Sequence, residues 1–305
     1  MPDRTCLIAE SCSDSAFDSL DRTEWCPIIA VGDSLSDAPD WADAVVPDRK
    51  AAELIEARVN ASPNAARVIV GLLRALPRLS LANGLEMESL AYGVLQGSGE
   101  FQSWLAGRGP VAPSGPPGLV NTERQEGVLA IQLDRPLADN AIDRPMRDGL
   151  AEAFELAVLD QTIERIMLTG AGRSFSLGAE LSEFGTTRDP ALAHAIRQQT
   201  LPAHWAARCG DRMEVFVQGA CVGAGLEIAA FAKRIVAGPR AWFQLPELAM
   251  GLLPGAGGCV SLTRRIGRHR TAELILSGRR LNAREALAWG LVDEISADNG
   301  GADEA

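Results

Sequence analysis

The sequence lacks most of the patterns that announce a function directly. Its six cysteines include no C-x-x-C pair, and none stands at a metal-like spacing from His194, His204 or His269. No metal site is therefore expected, and the thiols read as reduced, structural groups of a cytoplasmic protein. The opening MPDRTCLIAESCSD has no basic stretch ahead of an apolar one, so no signal peptide is expected. The most apolar window, 213–232, is interrupted by Gln218, by glycines and by Glu227, which argues against a membrane span. Positive charge is also scarce. With 29 Lys and Arg against 40 Asp and Glu, the net charge of -11 disfavours nucleic-acid binding. A small anionic ligand stays open, because backbone amides can hold one on an acidic protein. Neither a G-x-G-x-x-G dinucleotide turn nor the Lys-Ser/Thr of a phosphate loop is present, although GACVGAG and PGAGG resemble them superficially.

What is present is an ordinary globular composition, 47% hydrophobic and 23% charged over 305 residues, enough for one or two domains. A strand is expected at CPIIAV (26–31) and a short one at ADAVV. From residue 48 the apolar residues fall at helical spacing, as in Leu54, Ile55 and Val59, then Ala66, Ile69, Val70 and Leu73. Ser62 and Pro63 suit the N-cap and first position of a second helix. Further helices are expected in LANGLEMESLAYGVLQ and GEFQSWLA. The stretch GRGPVAPSGPPG (107–118) has four prolines and four glycines, which bars helix and interior strand and marks a linker. Strands and helices then alternate: GVLAIQLDRP, a helix with Pro145 in its first turn, ERIMLTG, one helix over DPALAHAIRQQTLPAHWAARC, MEVFVQG, and two helices closing the chain. The expected organisation is an extension at 1–42, a helical segment at 43–106, a linker at 107–120 and an α/β core at 121–305.

Three loops after three strands carry the chemistry: SFSLGAEL (174–181), QGACVGAGLE (218–227) and LPELAMGLLPGAGG (245–258). Their small residues let a ligand approach the backbone closely. If the loops are neighbours, the amides of Ala179 and Ala224 make a pair of oxyanion donors. Glu227 sits in an otherwise apolar run and Glu247 follows a strand-like AWFQLP. Carboxylates in such company call for a partner or a purpose.

Taken together, these stretches resemble the crotonase family, the enoyl-CoA hydratases and isomerases. The resemblance covers 127–296 and is densest in GACVGAGLEIAAFAKRIVAGPRAWFQLPELAMGLLPGAGG. It implies a spiral core of repeated ββα units. It also implies an acyl-CoA thioester as substrate, no cofactor beyond the CoA that the substrate carries, and a homotrimer or dimer of trimers. Family hydratases place two glutamates at the positions of Glu227 and Glu247. Isomerases usually keep only the second, and this chain has both. The resemblance therefore implies hydration of a trans-2-enoyl-CoA to a 3-hydroxyacyl-CoA, with an isomerase or a non-catalytic CoA-binding protein as alternatives. Glu227 would activate the water and Glu247 deliver the α-proton, with Ala179 and Ala224 as the oxyanion donors.

The CoA contacts implied are Leu177, Ala179, Glu180, Leu181 and Ser182, with the turn at Leu137. Leu137 stands where a lysine or arginine often meets the phosphates, and Arg144 or Arg173 would have to substitute. The acyl pocket is expected to draw on Phe184, Trp205, Leu245, Leu252, Leu253 and Gly255. One feature departs from the family pattern. The helices that usually follow the GLVD strand are missing from the end, whereas residues 43–106 resemble them. A circularly permuted order is expected, with a trimerisation-type helical segment at the amino-terminal side.

Overall fold

The computed structural model describes residues 5–14, 17, 26–32 and 38–297. Part of the expected extension and most of the polar tail lie outside the described residues.

The chain first forms three short parallel strands, β1 (Leu7–Ala9), β2 (Ile28–Val31) and β3 (Ala44–Val46), in that spatial order. Four helices follow: α1 (Arg49–Ala61), α2 (Pro63–Ala75), α3 (Leu81–Gln96) and α4 (Gly99–Arg108). Each start is capped by a nearby oxygen. Asp48 caps α1, Ser80 caps α3 and Ser98 caps α4, each accepting from an amide three residues on. Pro63 does open α2, but Ser62 makes no side-chain cap there. The Glu100 carboxylate on α4 instead accepts from Asn64 N at 2.8 Å and Ala65 N at 2.9 Å. These two bonds tie the helices together.

The linker ends at β4 (Leu119–Gln125), which pairs antiparallel with β5 (Val128–Asp134). Then come α5 (Arg144–Leu159), β6 (Arg165–Gly170), α6 (Pro190–Thr200), α7 (Ala203–Cys209), β7 (Met213–Val217), β8 (Ala220–Val222), α8 (Ala224–Ala229) and β9 (Arg234–Ala237). The chain continues through β10 (Trp242–Gln244), α9 (Gly258–Ser277), β11 (Leu281–Asn282), α10 (Ala283–Ala288) and β12 (Glu294–Ile295). The largest sheet has the order β12-β9-β7-β6-β5-β4, parallel except at the β4–β5 hairpin. A second sheet, β11-β10-β8, stands beside it. The single helix expected over 189–209 is two. Pro202 has no N–H to donate and disfavours a helical residue before it, and Leu201 is accordingly extended.

The amino-terminal helices are not an appendage. Ile55, Ile69, Leu73 and Leu85 belong to the same continuous buried core as Leu129, Phe154, Phe243 and Leu274. β3, α1, α2 and α3 all pack against α9. The Pro/Gly linker is clasped as well. Arg135 donates to the carbonyls of Gly115 and Pro116, and Asp143 accepts from Gly118 N.

Candidate active site

Two parallel β-bridge contacts bring the expected loops together. Ser176 pairs with Cys221, and Ile142 pairs with Ala179. Gly178 lies directly on the next loop, where an added Cβ would be 2.9 Å from the Val222 carbonyl. Hydrogen bonds pass on either side of Ala179: Gly178 N donates to Ser176 Oγ and Glu180 N to the Ile142 carbonyl. Gly223 has φ 47°, a conformation that suits glycine, and it turns the chain into α8. Ala224 itself has no positive φ, so its methyl group carries no backbone strain. Its amide is one of the first-turn donors that a helix leaves unpaired internally.

Glu227 is 2% exposed, one turn into α8. Its Oε2 accepts from Ala256 N at 2.6 Å and Gly258 N at 2.9 Å. Ser261 Oγ donates to its backbone carbonyl at 2.8 Å. The Glu227 side chain borders the cavity. Glu247 opens a short turn after β10 and is 9% exposed, with Oε2 buried and unbonded. Burial pushes the Glu227 carboxyl up to about 7, opposed by its two amide donors. Burial, then the charge of Glu227, pushes Glu247 well above the usual carboxylate range. Two buried carboxyls raised above the ordinary range in one pocket are suited to general acid–base chemistry.

A cavity of about 730 Å³ opens onto both glutamates, Ala179 and Ala224. Of the other residues expected at the site, Leu177, Glu180, Leu181, Phe184, Leu253 and Gly255 border it, and so does Arg144. Leu137, Ser182, Trp205, Leu245 and Leu252 do not. Leu137 is 83% exposed. Leu245 and Leu252 are fully buried and pack the main core. Trp205 lies against that core under the Arg208 guanidinium, 4.7 Å from its ring. Arg173 does not border the cavity and is paired through two bonds with Asp139. Glu180 borders the cavity, but both its oxygens are engaged. Oε1 takes Ser114 Oγ and Ser182 N, and Oε2 takes Ser114 N and Arg135 Nη1. Burial would raise its carboxyl; the Ser182, Ser114 and Arg135 donors outweigh that and hold it at about 2.

Comparison with known proteins decides the family. The family model described as "Enoyl-CoA hydratase/isomerase" matches residues 123–305. The chain belongs to the enoyl-CoA hydratase/isomerase family. The 2,3-dehydroadipyl-CoA hydratase of Escherichia coli K12 is 36% identical over 179 residues, which are 56% of this chain and 67% of that protein. The enoyl-CoA hydratase structure from Thermoplasma volcanium aligns with a TM-score of 0.52 at 36% identity, covering 60% of this chain and 74% of that one. A Thermobifida fusca structure in complex with CoA aligns with a TM-score of 0.54 at 27% identity, covering 59% and 72%. The crotonase fold follows for this family member. No helix among the described residues is long and apolar enough to cross a membrane.

The family match begins at residue 123, so it leaves out one wall of the site. Tyr92, Gln96 and Phe101, from α3 and α4, border the cavity. Behind this wall Glu88, on α3, is a further buried acid, bonded to the loop that also holds Glu227, and was absent from the sequence expectation. The signal for it was available. Leu85, Glu88 and Tyr92 recur at helical spacing, so the acid falls on the buried stripe.

Proposed function

We propose that the protein is an enoyl-CoA hydratase, adding water to a trans-2-enoyl-CoA to give the 3-hydroxyacyl-CoA. The observation that carries this reading is that both glutamates, whose buried carboxyls are raised above the ordinary carboxylate range, share a cavity with Ala179 and Ala224. The thioester oxygen would lie between the amides of those two alanines, which lower the barrier as charge gathers on it. Glu227 Oε1 would take a proton from water while the water oxygen bonds to Cβ. The electron pair of the double bond moves toward the carbonyl, giving an enolate. Glu247 then protonates Cα. The new proton on Glu227 and the vacancy on Glu247 balance, and proton exchange between the two groups restores the starting state. The pair titrates as a unit, so the two roles are shared rather than sharply separate. CoA is part of the substrate, and this mechanism calls on no metal or further cofactor.

Arg144 and Arg147 border the cavity and are suited to the CoA phosphates in place of a lysine near Leu137. The packing of α1–α4 supports the reading that residues 43–106 stand in for the family's carboxyl-terminal helices, in permuted order. Assembly as a trimer or a dimer of trimers belongs to the same proposal. Product analysis with matched 2-enoyl and 3-enoyl thioesters tests the reaction. A hydratase yields the 3-hydroxyacyl product from the 2-enoyl substrate; double-bond migration without water uptake would make it an isomerase.

A further inference from the structure

The loop before α9 and the first turn of that helix present a run of amides, and two carboxylates divide them. Ala256 N and Gly258 N donate to Glu227 Oε2. Gly257 N donates to Glu88 Oε1 at 2.7 Å, and Val260 N to Glu88 Oε2 at 3.2 Å. The bonds interleave, so neither acid can shift without moving the backbone that holds the other. The packing leaves no slack. A Cβ on Gly258 would be 2.4 Å from Glu227 Cγ. Glu88 is 1% exposed, and an acid is buried at such cost only where donors meet it. No set of three His, Cys, Asp or Glu side chains among the described residues is arranged to hold a metal ion, so the cluster of acids is not an ion site.

We infer that Glu88, supplied by the segment outside the family match, is a positioning residue of the active site: it fixes the 256–260 backbone that orients Glu227 and adds a third carboxyl to the Glu227–Glu247 pair. This rests on the hydratase reading for its kinetic consequence. Its structural part does not. Glu88 does not border the cavity, so it acts through its neighbours rather than on the substrate.

The charged and titratable groups that act with it come from several elements. Glu227 on α8 raises the Glu88 carboxyl further, after burial. Glu88 in turn helps to hold the Glu247 proton, acts on the Cys259 thiol on α9 and favours the charged form of Arg197 on α6. Tyr92, one turn along α3, feels Arg197, Glu227 and Glu247, and its hydroxyl is raised first by burial.

The test is Glu88→Gln, which keeps one acceptor for Gly257 N and removes the ionisable carboxyl. Turnover should fall roughly tenfold or more with KM within about twofold, because substrate contacts are intact. The alkaline limb of the pH profile should move down, because an ionising Glu88 no longer opposes ionisation of Glu247. A drop in thermal stability with both kinetic readouts unchanged would reduce Glu88 to a structural residue. Infrared titration of the protonated-carboxyl band needs neither substrate nor a folded Glu88 variant. Among the buried carboxyls that titrate in wild-type protein, two, Glu88 and Glu247, should respond to Glu227→Gln with lowered midpoints. A response from Glu247 alone, or midpoints indifferent to Glu227, would overturn the inference. A protein inert toward enoyl thioesters that still shows this coupled titration would fail the functional reading alone.

Discussion

Gly223 and Glu247 meet so closely that a Cβ on Gly223 would lie 2.8 Å from Glu247 Oε1. The turn that presents the Ala224 amide therefore also walls in the second acid. Gly223→Ala should displace the Glu247 carboxyl and strain a backbone whose φ is 47°. The expected result is a folded protein with turnover lowered by about 10²-fold or more. Steady-state kinetics beside a thermal melt checks it.

Activity should depend on pH through the two acids. Glu227 must be ionised to act as base, and its value of about 7 places the acidic limb near neutrality. The rate should fall as pH drops below that point. The alkaline limb should follow loss of the Glu247 proton, well above the ordinary carboxylate range. Both limbs are macroscopic properties of the pair. A pH profile of kcat/KM gives them directly, and Glu227→Gln should abolish the acidic limb.

The same burial works against stability. For Glu227 the folded-state value is raised from 4.5 to about 7. The favourable contribution is therefore complete below pH 4.5 and is lost as pH rises through 7. At about 1.4 kcal/mol per unit, the loss approaches ~3 kcal/mol by pH 8. Glu227→Gln, whose amide oxygen can still accept from Ala256 and Gly258, should escape it. Urea unfolding at pH 5 and pH 8 should show the variant gaining on wild type at the higher pH.

Glu180 behaves oppositely. Its carboxyl is held near 2 and pairs with buried Arg135 at 2.8 Å. Its contribution is present above pH 4.5 and is lost as pH falls toward 2. Glu180→Ala leaves the buried Arg135 charge only the more distant Asp143 carboxylate, at 3.7 Å, which should cost up to about 3 kcal/mol at neutral pH. The linker clasped by Arg135 should become sensitive to protease. Denaturant unfolding and limited proteolysis at pH 7 check both effects.

The sequence made some of this architecture easy to read and hid other parts. Local rules sufficed for α5, with Asp143 as cap and Pro145 in the first turn, and for β5, where Leu129, Ile131 and Leu133 alternate inward. β4 was invisible because LVNTERQ is mostly exposed and polar. Only its pairing with β5 makes it a strand. Glu227 and Glu247 stood out as acids in apolar company, and the structure brings them to one cavity. Leu245 and Leu252 misled because a large apolar side chain reads the same whether it lines a pocket or fills a core. The burial of Glu88 was legible from its spacing with Leu85 and Tyr92, but its partners, Gly257 and Val260, are more than 160 residues away along the chain, and no local pattern encodes such a contact.

The most direct measurement follows consumption of crotonyl-CoA by its enoyl-thioester absorbance, with wild-type protein, Glu227→Gln and Glu247→Gln side by side. The account predicts conversion to 3-hydroxybutyryl-CoA by wild type and losses of about 10²–10⁴-fold in each folded variant. Wild-type turnover in either variant, or no hydration by the wild-type protein, would contradict it.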